Sequence, residues 1–169
     1  MNLVADTGVM PTSRDIRFLL ESVADPEIPV LSVIDLGIVR DIAVYQDRVE
    51  VSVAPTYTGC PATEVIERMI LAKLRRNGIS HVTIKRVLSP PWTTDWLTEA
   101  GRQKLRAYGI APPDGSASKR SLLAPVLKVR CPRCSTDDTT RVSEFGSTPC
   151  KASYKCNECF EPFEYFKCI

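Results

Sequence analysis

The chain has one histidine, a formal net charge of only +2 over 169 residues, and a single cysteine, Cys60, before residue 131. Each shortage excludes something. With His81 alone, no multi-histidine hydrolytic metal site can be assembled, and its spacing from Cys60 gives no support for a Cys-His catalytic pair. The charge is also evenly spread: 13 basic and 13 acidic residues up to Ile110, then 9 and 7 after it. A nucleic-acid partner needs a clustered basic surface, which this distribution argues against. No apolar run approaches the ~18 residues that would span a bilayer. Met1 to Pro11 lacks the basic start, apolar centre and small-residue cleavage site of a secretory signal, so a cytoplasmic protein is expected.

What is present is an ordinary globular composition, 44% apolar and 25% charged. The length predicts one modest domain plus an appendage. Six of the seven cysteines lie between Cys131 and Cys168. In a reducing compartment such a cluster predicts metal or redox chemistry rather than a disulfide framework.

Cys60 sits where the hydrophobic period changes. Val49, Val51 and Val53 alternate as in a half-buried strand, whereas Val65, Ile66, Met69, Ile70 and Leu74 recur at helical spacing. Gly59 suits the tight turn between them, and Pro61 suits the first helical position. A thiol at a helix N-terminus is favoured as thiolate by unpaired N-H groups and the dipole. The alternative is a small apolar side chain filling the strand-helix corner.

In chain order, a first helix is expected from Thr12, with Ile16, Leu19, Leu20 and Val23 on one face. The two prolines of Asp25-Pro26-Glu27-Ile28-Pro29 predict an exposed loop. An antiparallel hairpin follows, one strand ending near Val44 and the next spanning Arg48 to Ala54. After the Cys60 corner come a helix to about Asn77, a strand from His81 to Val87, and a third helix from Trp92 to Tyr108 ended by Gly109. Trp92 and Trp96 are expected to pack between that helix and the sheet. The fold class is thus α/β (α+β): a small three-stranded sheet with helices on one face, residues 12–110. A Pro, Gly and Ser-rich linker covers 111–125, and an all-β zinc ribbon covers 126–169.

The ribbon rests on Cys131-Pro-Arg-Cys134 and Cys156-Asn-Glu-Cys159, separated by 21 residues. Two residues between thiols let a tight knuckle aim both sulfurs at one ion, and two knuckles complete the tetrahedron that zinc accepts. Strands are expected at Val126 to Val129, Thr140 to Phe145, Ala152 to Tyr154 and Phe163 to Phe166. An iron-sulfur cluster on the same thiolates and a redox-active dithiol are the competing readings. Cys150 and Cys168 remain over; either could replace a ligand or simply pack. Asp25, Glu27 and Asp35 are candidates for a carboxylate cluster near Cys60, and equally for turn and helix caps.

The motifs Asp25-Pro-Glu-Ile-Pro29, Asp35-Leu-Gly-Ile-Val39 and Pro55-Thr-Tyr-Thr-Gly-Cys-Pro61 resemble the MIP18 (DUF59) family, associated with iron-sulfur cluster assembly, over about residues 12 to 90. Trp92-Thr-Thr-Asp-Trp96, Gly109-Ile-Ala-Pro-Pro113, Phe145-Gly-Ser-Thr-Pro-Cys150-Lys and Glu161-Pro-Phe163 resemble the narrower PaaD-like (PaaJ-like) family over nearly the whole chain. By that resemblance Asp35, Thr56 and Cys60 fall on family positions, Cys60 as transient cluster ligand with Asp35 and Thr56 in support. Ala54 departs from the family's frequent Thr. The resemblance implies an accessory protein of the multicomponent phenylacetyl-CoA epoxidase, a di-iron monooxygenase whose reductase carries a 2Fe-2S centre. Its role would be to assemble or insert a cluster in an oxygenase component such as that reductase, without being a catalyst itself. The alternative is a structural subunit with no cluster-handling role. Structural zinc, a transient iron-sulfur cluster, the oxygenase components as partners and a homodimer complete the expectations. No membrane or nucleic-acid partner is expected.

Overall fold

Capping explains where the first helix begins. In the computed structural model, which describes residues 11–57, 59–113 and 129–167, helix α1 spans Ser13–Leu20. Its cap is reciprocal: the Thr12 side chain accepts from the Asp15 N-H, and Asp15 accepts from the Thr12 N-H at 2.9 Å. This satisfies two otherwise orphaned donors. Ile16, Leu19 and Leu20 are buried as one apolar stripe, while Phe18 and the polar residues of the helix face away from it. Val23 is buried too, just beyond the helix end.

The hairpin forms as the alternation predicts: β1 is Val39–Val44, β2 is Val49–Val53, and they pair antiparallel. The register slips between Val39 and Asp41, so Arg40 is an extra residue opposite the end of β2. Helix α2, Ala62–Arg76, then crosses over to β3, Val82–Arg86, which pairs parallel to β2. The sheet order is β1-β2-β3; α1 packs against α2 and β1, and α2 against β3. Leu31, Leu36, Val49, Val51, Val53, Ile70 and Leu74 are essentially inaccessible to solvent and form an aliphatic core. Each such side chain stabilises the fold by about 1.5–3 kcal/mol through burial alone. Trp92 is buried at the end of this unit, its indole N-H donating to the Leu36 carbonyl at 2.9 Å.

The third helix differs from expectation. Trp92 to Tyr108 is not continuous: a 3-10 turn at Thr94–Trp96 is followed by extended Leu97, and helix α3 is Glu99–Tyr108. Thr98 causes the restart, because its side chain accepts from the Gly101 N-H at 3.0 Å. Leu97 stays buried only by leaving helical geometry.

Beyond α3, strand β4 (Ile110–Ala111) pairs parallel with β7 (Pro162–Phe166). β7 pairs antiparallel with β6 (Lys151–Cys156), which pairs with β5 (Thr139–Ser143). The compact units accordingly divide between Trp92 and Thr93. Within the second of these units the chain runs directly from α3 into β4 of the ribbon sheet. Linker residues 114–125, the expected strand positions 126–128, Cys168 and the leader lie outside the described residues. No helix among the described residues is long and apolar enough to cross a membrane.

The ribbon core is different in kind. Val129, Cys131, Ala152, Tyr154, Cys156, Phe163 and Tyr165 are buried together with Ala111 from β4. Tyr154 stacks on Phe163 at 5.8 Å and meets Tyr165 edge-on at 5.7 Å. At the end of β6 remote from Cys156, the buried Lys151 ammonium pairs with Glu164 at 3.1 Å.

Candidate functional site

Two places gather chemistry-bearing side chains, one in each unit. The first lies past the C-terminal end of β2, the end of a parallel β-α-β unit at which ligands characteristically bind. The chain leaves β2 through Ala54 and Pro55, and Gly59 adopts φ +83°. A Cβ there would meet nothing within 4 Å, so it is the backbone conformation that favours glycine. The Cys60 N-H donates to the Tyr57 carbonyl at 3.3 Å, and the Thr63 N-H donates to the Cys60 carbonyl at 3.2 Å. Pro61 is the cap residue and Ala62 the first helical one. Cys60 therefore precedes the helix by two residues and is half-buried.

Cys60, Asp25, Thr56 and Thr63 line one small cavity with apolar Ile38, Val53 and Ile66. Its volume is about 20 Å³, enough for one water-sized group. Asp25 is 7% exposed and not on an exposed loop as expected. Its Oδ1 accepts from the Glu27 and Ile28 N-H groups, both at 2.8 Å, and these donors offset its burial. Asp35 is buried as well, but it is not among the residues lining the cavity. Its Oδ2 accepts from the Ser32 N-H at 2.9 Å and the Ser32 hydroxyl at 2.8 Å, while its N-H donates back to Ser32 Oγ at 3.0 Å. Of the three residues expected to act together, Cys60 and Thr56 share the cavity. Asp25 and Thr63 are its other polar members, and Asp25 was legible as an acidic residue of the Asp-Pro-Glu turn. His81 is exposed at the start of β3.

The second place is a four-sulfur cluster. The Sγ atoms of Cys131, Cys134, Cys156 and Cys159 all lie within 4.8 Å of one another. Cys131 and Cys159 are 3.7 Å apart, and Cys134 and Cys156 are 3.5 Å apart. A tetrahedron of bonds about 2.3 Å long places sulfurs ~3.8 Å apart, so this donor set fits a single ion such as zinc. The Cys159 N-H donates to Cys156 Sγ at 3.3 Å, a bond that favours the thiolate. Burial raises the Cys156 thiol, but backbone donors at Cys159 and Glu158 and the neighbouring thiols bring it down to about 7. A backbone hydrogen bond from Thr136 lowers Cys134, yet burial and the three other sulfurs outweigh it and push that thiol up to about 12. A bound cation would displace the thiol protons that remain. Bonds outside the sulfurs tie the knuckles together: Thr136 Oγ1 donates to Glu158 at 2.6 Å, and Arg133 pairs with Glu161. Cys150 is buried away from the cluster, its Sγ 3.1 Å from Thr148 Oγ1.

Comparison with known proteins places both regions. Residues 13–84 match the family described as iron-sulfur cluster assembly protein, and residues 115–167 match the PaaD zinc beta ribbon domain. The chain is 48% identical over 159 residues to an Escherichia coli (strain K12) protein named as one subunit of a "Putative 1,2-phenylacetyl-CoA epoxidase", covering 94% of each. It is 34% identical over 98 residues to an Fe-S protein maturation auxiliary factor of Porphyromonas gingivalis (strain ATCC BAA-308 / W83), covering 57% of this chain and 92% of that one. A crystal structure of a DUF59 domain from Bacillus anthracis superposes with a TM-score of 0.52 at 23% identity, covering 54% of this chain and 89% of that one; this likeness concerns the fold.

Proposed function

Because the chain belongs to the MIP18 (DUF59) family, in its PaaD-like branch with a C-terminal ribbon, we propose that it is a cytoplasmic accessory protein that hands an iron-sulfur cluster to a component of a phenylacetyl-CoA oxygenase. The reductase component is the favoured client. The observation that carries the reading is the half-buried Cys60, which lines a small cavity with Asp25, Thr56 and Thr63. A cavity of about 20 Å³ is too small to enclose a cluster, so the cargo would stay at the mouth. There Cys60 supplies one thiolate and leaves the other ligand positions, usually four in all, to thiols of a partner or a second copy. Such shared, incomplete ligation suits transfer rather than storage.

The remaining cleft residues position the thiol. Asp25 holds the Glu27 and Ile28 amides and so fixes the wall opposite α2. Asp35 acts at one remove, by closing the Ser32 turn that leads into β1. The four-cysteine centre holds structural zinc in this reading, completing a ribbon whose core already counts two of the ligands, Cys131 and Cys156. The epoxidase name of the 48% identical relative supports placing the protein beside the oxygenase.

Cys60→Ser tests the proposal. The variant is expected to be soluble, to keep one zinc per chain, and to leave the partner reductase deficient in cluster and the cells unable to grow on phenylacetate. Full cluster content and growth in that variant would remove the maturation role. A purified protein whose iron and visible absorption disappear on Cys131→Ser would instead make the ribbon an electron carrier.

A further inference from the structure

A recess in the second unit is lined by residues other than Cys60. A cleft of about 360 Å³ opens between the end of α3 and the two cysteine knuckles, lined by Arg106, Tyr108, Pro132, Arg133, Glu161 and Phe163. A second cleft, of about 160 Å³, shares Arg106 and Pro132 with it and continues past Arg130 to Ser135. Sharing these residues, the two adjoin at the first knuckle as a groove in two parts. The larger part alone is within the size range of ligand sites.

The lining has a definite character. Its walls are aromatic rings and prolines, with Tyr108 61% exposed and Phe163 buried as the floor. Three arginines line the two clefts against one carboxylate, Glu161. Each of these arginines pairs with a carboxylate at the surface: Arg106 is 3.8 Å from Glu99, Arg130 is 3.1 Å from Asp137 and Arg133 pairs with Glu161, the arginine side chains being between 48% and 66% exposed. Exposed pairs of this kind contribute little, so an incoming carboxylate can replace or share them. The groove is also preformed, because its walls are a capped helix end and two hydrogen-bonded knuckles.

We propose that this groove docks an extended, carboxylate-bearing segment of a partner protein. Two adjoining recesses suit successive side chains of an extended chain, the rings and prolines taking the apolar ones and Arg106, Arg130 and Arg133 the acids. The proposal is independent of whether Cys60 handles a cluster.

The test is selection of a displayed random dodecapeptide library on the zinc-loaded full chain, followed by binding and amide-shift measurements on the enriched peptides. Enriched sequences should combine Asp or Glu with apolar residues, and shift the amides of residues 106–109, 133, 161 and 163. Replacing their acids by amides, or using Arg106→Glu, should weaken binding at least tenfold, and Tyr108→Ala several-fold. Cys60→Ser should bind them unchanged. No enrichment, enrichment of acid-free sequences, shifts confined elsewhere, or equal binding by both groove variants would overturn the proposal. So would inorganic phosphate that shifts the same amides and displaces the peptides, since the groove would then be a small-anion site.

Discussion

The two units solve the same problem with different materials. The first buries a continuous aliphatic core under two helices. The ribbon has a four-stranded sheet, a three-ring aromatic cluster and four cysteines placed to hold a metal ion, two of which, Cys131 and Cys156, are also core side chains. Where apolar area is scarce, a metal supplies the missing cohesion. On the proposed reading, one chain would carry a site that binds its ligand transiently and another that keeps its ligand.

The sharpest way to break the comparison is to remove the metal. Structural zinc is worth about 10–16 kcal/mol of apparent binding energy in small modules, most of it realised as folding. A strong chelator, or Cys156→Ser, should abolish hydrogen-exchange protection throughout β5, β6 and β7, and leave β1 to β3 as protected as before. Loss of both sets together would show that the first unit is not self-sufficient.

The converse experiment acts on the aliphatic core. Leu74, fully buried on α2, should cost about 2–5 kcal/mol when changed to Ala. Its effect is expected in the unfolding of the first unit alone, with zinc content unchanged.

A smaller effect separates metal from ordinary electrostatics within the ribbon. Burial raises the Glu164 carboxyl, but the Ser147 N-H, the Lys151 ammonium and the Ser147 hydroxyl outweigh it and hold it below its ordinary value. A lowered carboxyl stabilises the fold above its unfolded value, near 4.5, and loses that contribution as pH falls through the folded one. Glu164→Gln should cost about 1–3 kcal/mol at neutral pH through the bonds it weakens. With zinc in excess, the difference between wild type and variant should stay constant above pH ~5.5 and narrow below 4.5. The surroundings give no slack, since a Cβ on Gly146 would lie 2.6 Å from Glu164 Oε1.

The smallest prediction locates the boundary. Thr98→Ala removes the cap of α3 and should cost about 1 kcal/mol. If α3 belongs with the ribbon, the loss appears in the protection of Ile110 and Ala111 and their partners on β7. An effect on β1 to β3 instead would support the boundary expected near residue 110.

The outcome also shows what a sequence can and cannot carry. The Cys-x-x-Cys pairs are local and chemically specific, so both knuckles were legible, and so was the change of period at Cys60. The break at Leu97 and Thr98 was not, because a continuous helix and a turn followed by a capped helix place apolar residues at similar intervals. β4 was invisible for another reason: two residues beside a proline-rich stretch have no periodicity, and their pairing with β7 spans more than fifty positions. Asp25 and Asp35 looked alike as acidic loop residues. Only their long-range surroundings distinguish a carboxylate on the cavity wall from one enclosed by its own turn.

The parallel pairing of β4 with β7 changes what residues 112–128 are. They join two strands of one sheet, so a peptide bond cut among them opens a closed circuit instead of releasing a domain. Ile110 and Ala111 would stay on β7 after such a cut, but their attachment would become bimolecular and thus dependent on concentration. A nicked protein should run as one species when concentrated and come apart on dilution, the first fragment leaving with α3 and the second keeping its metal.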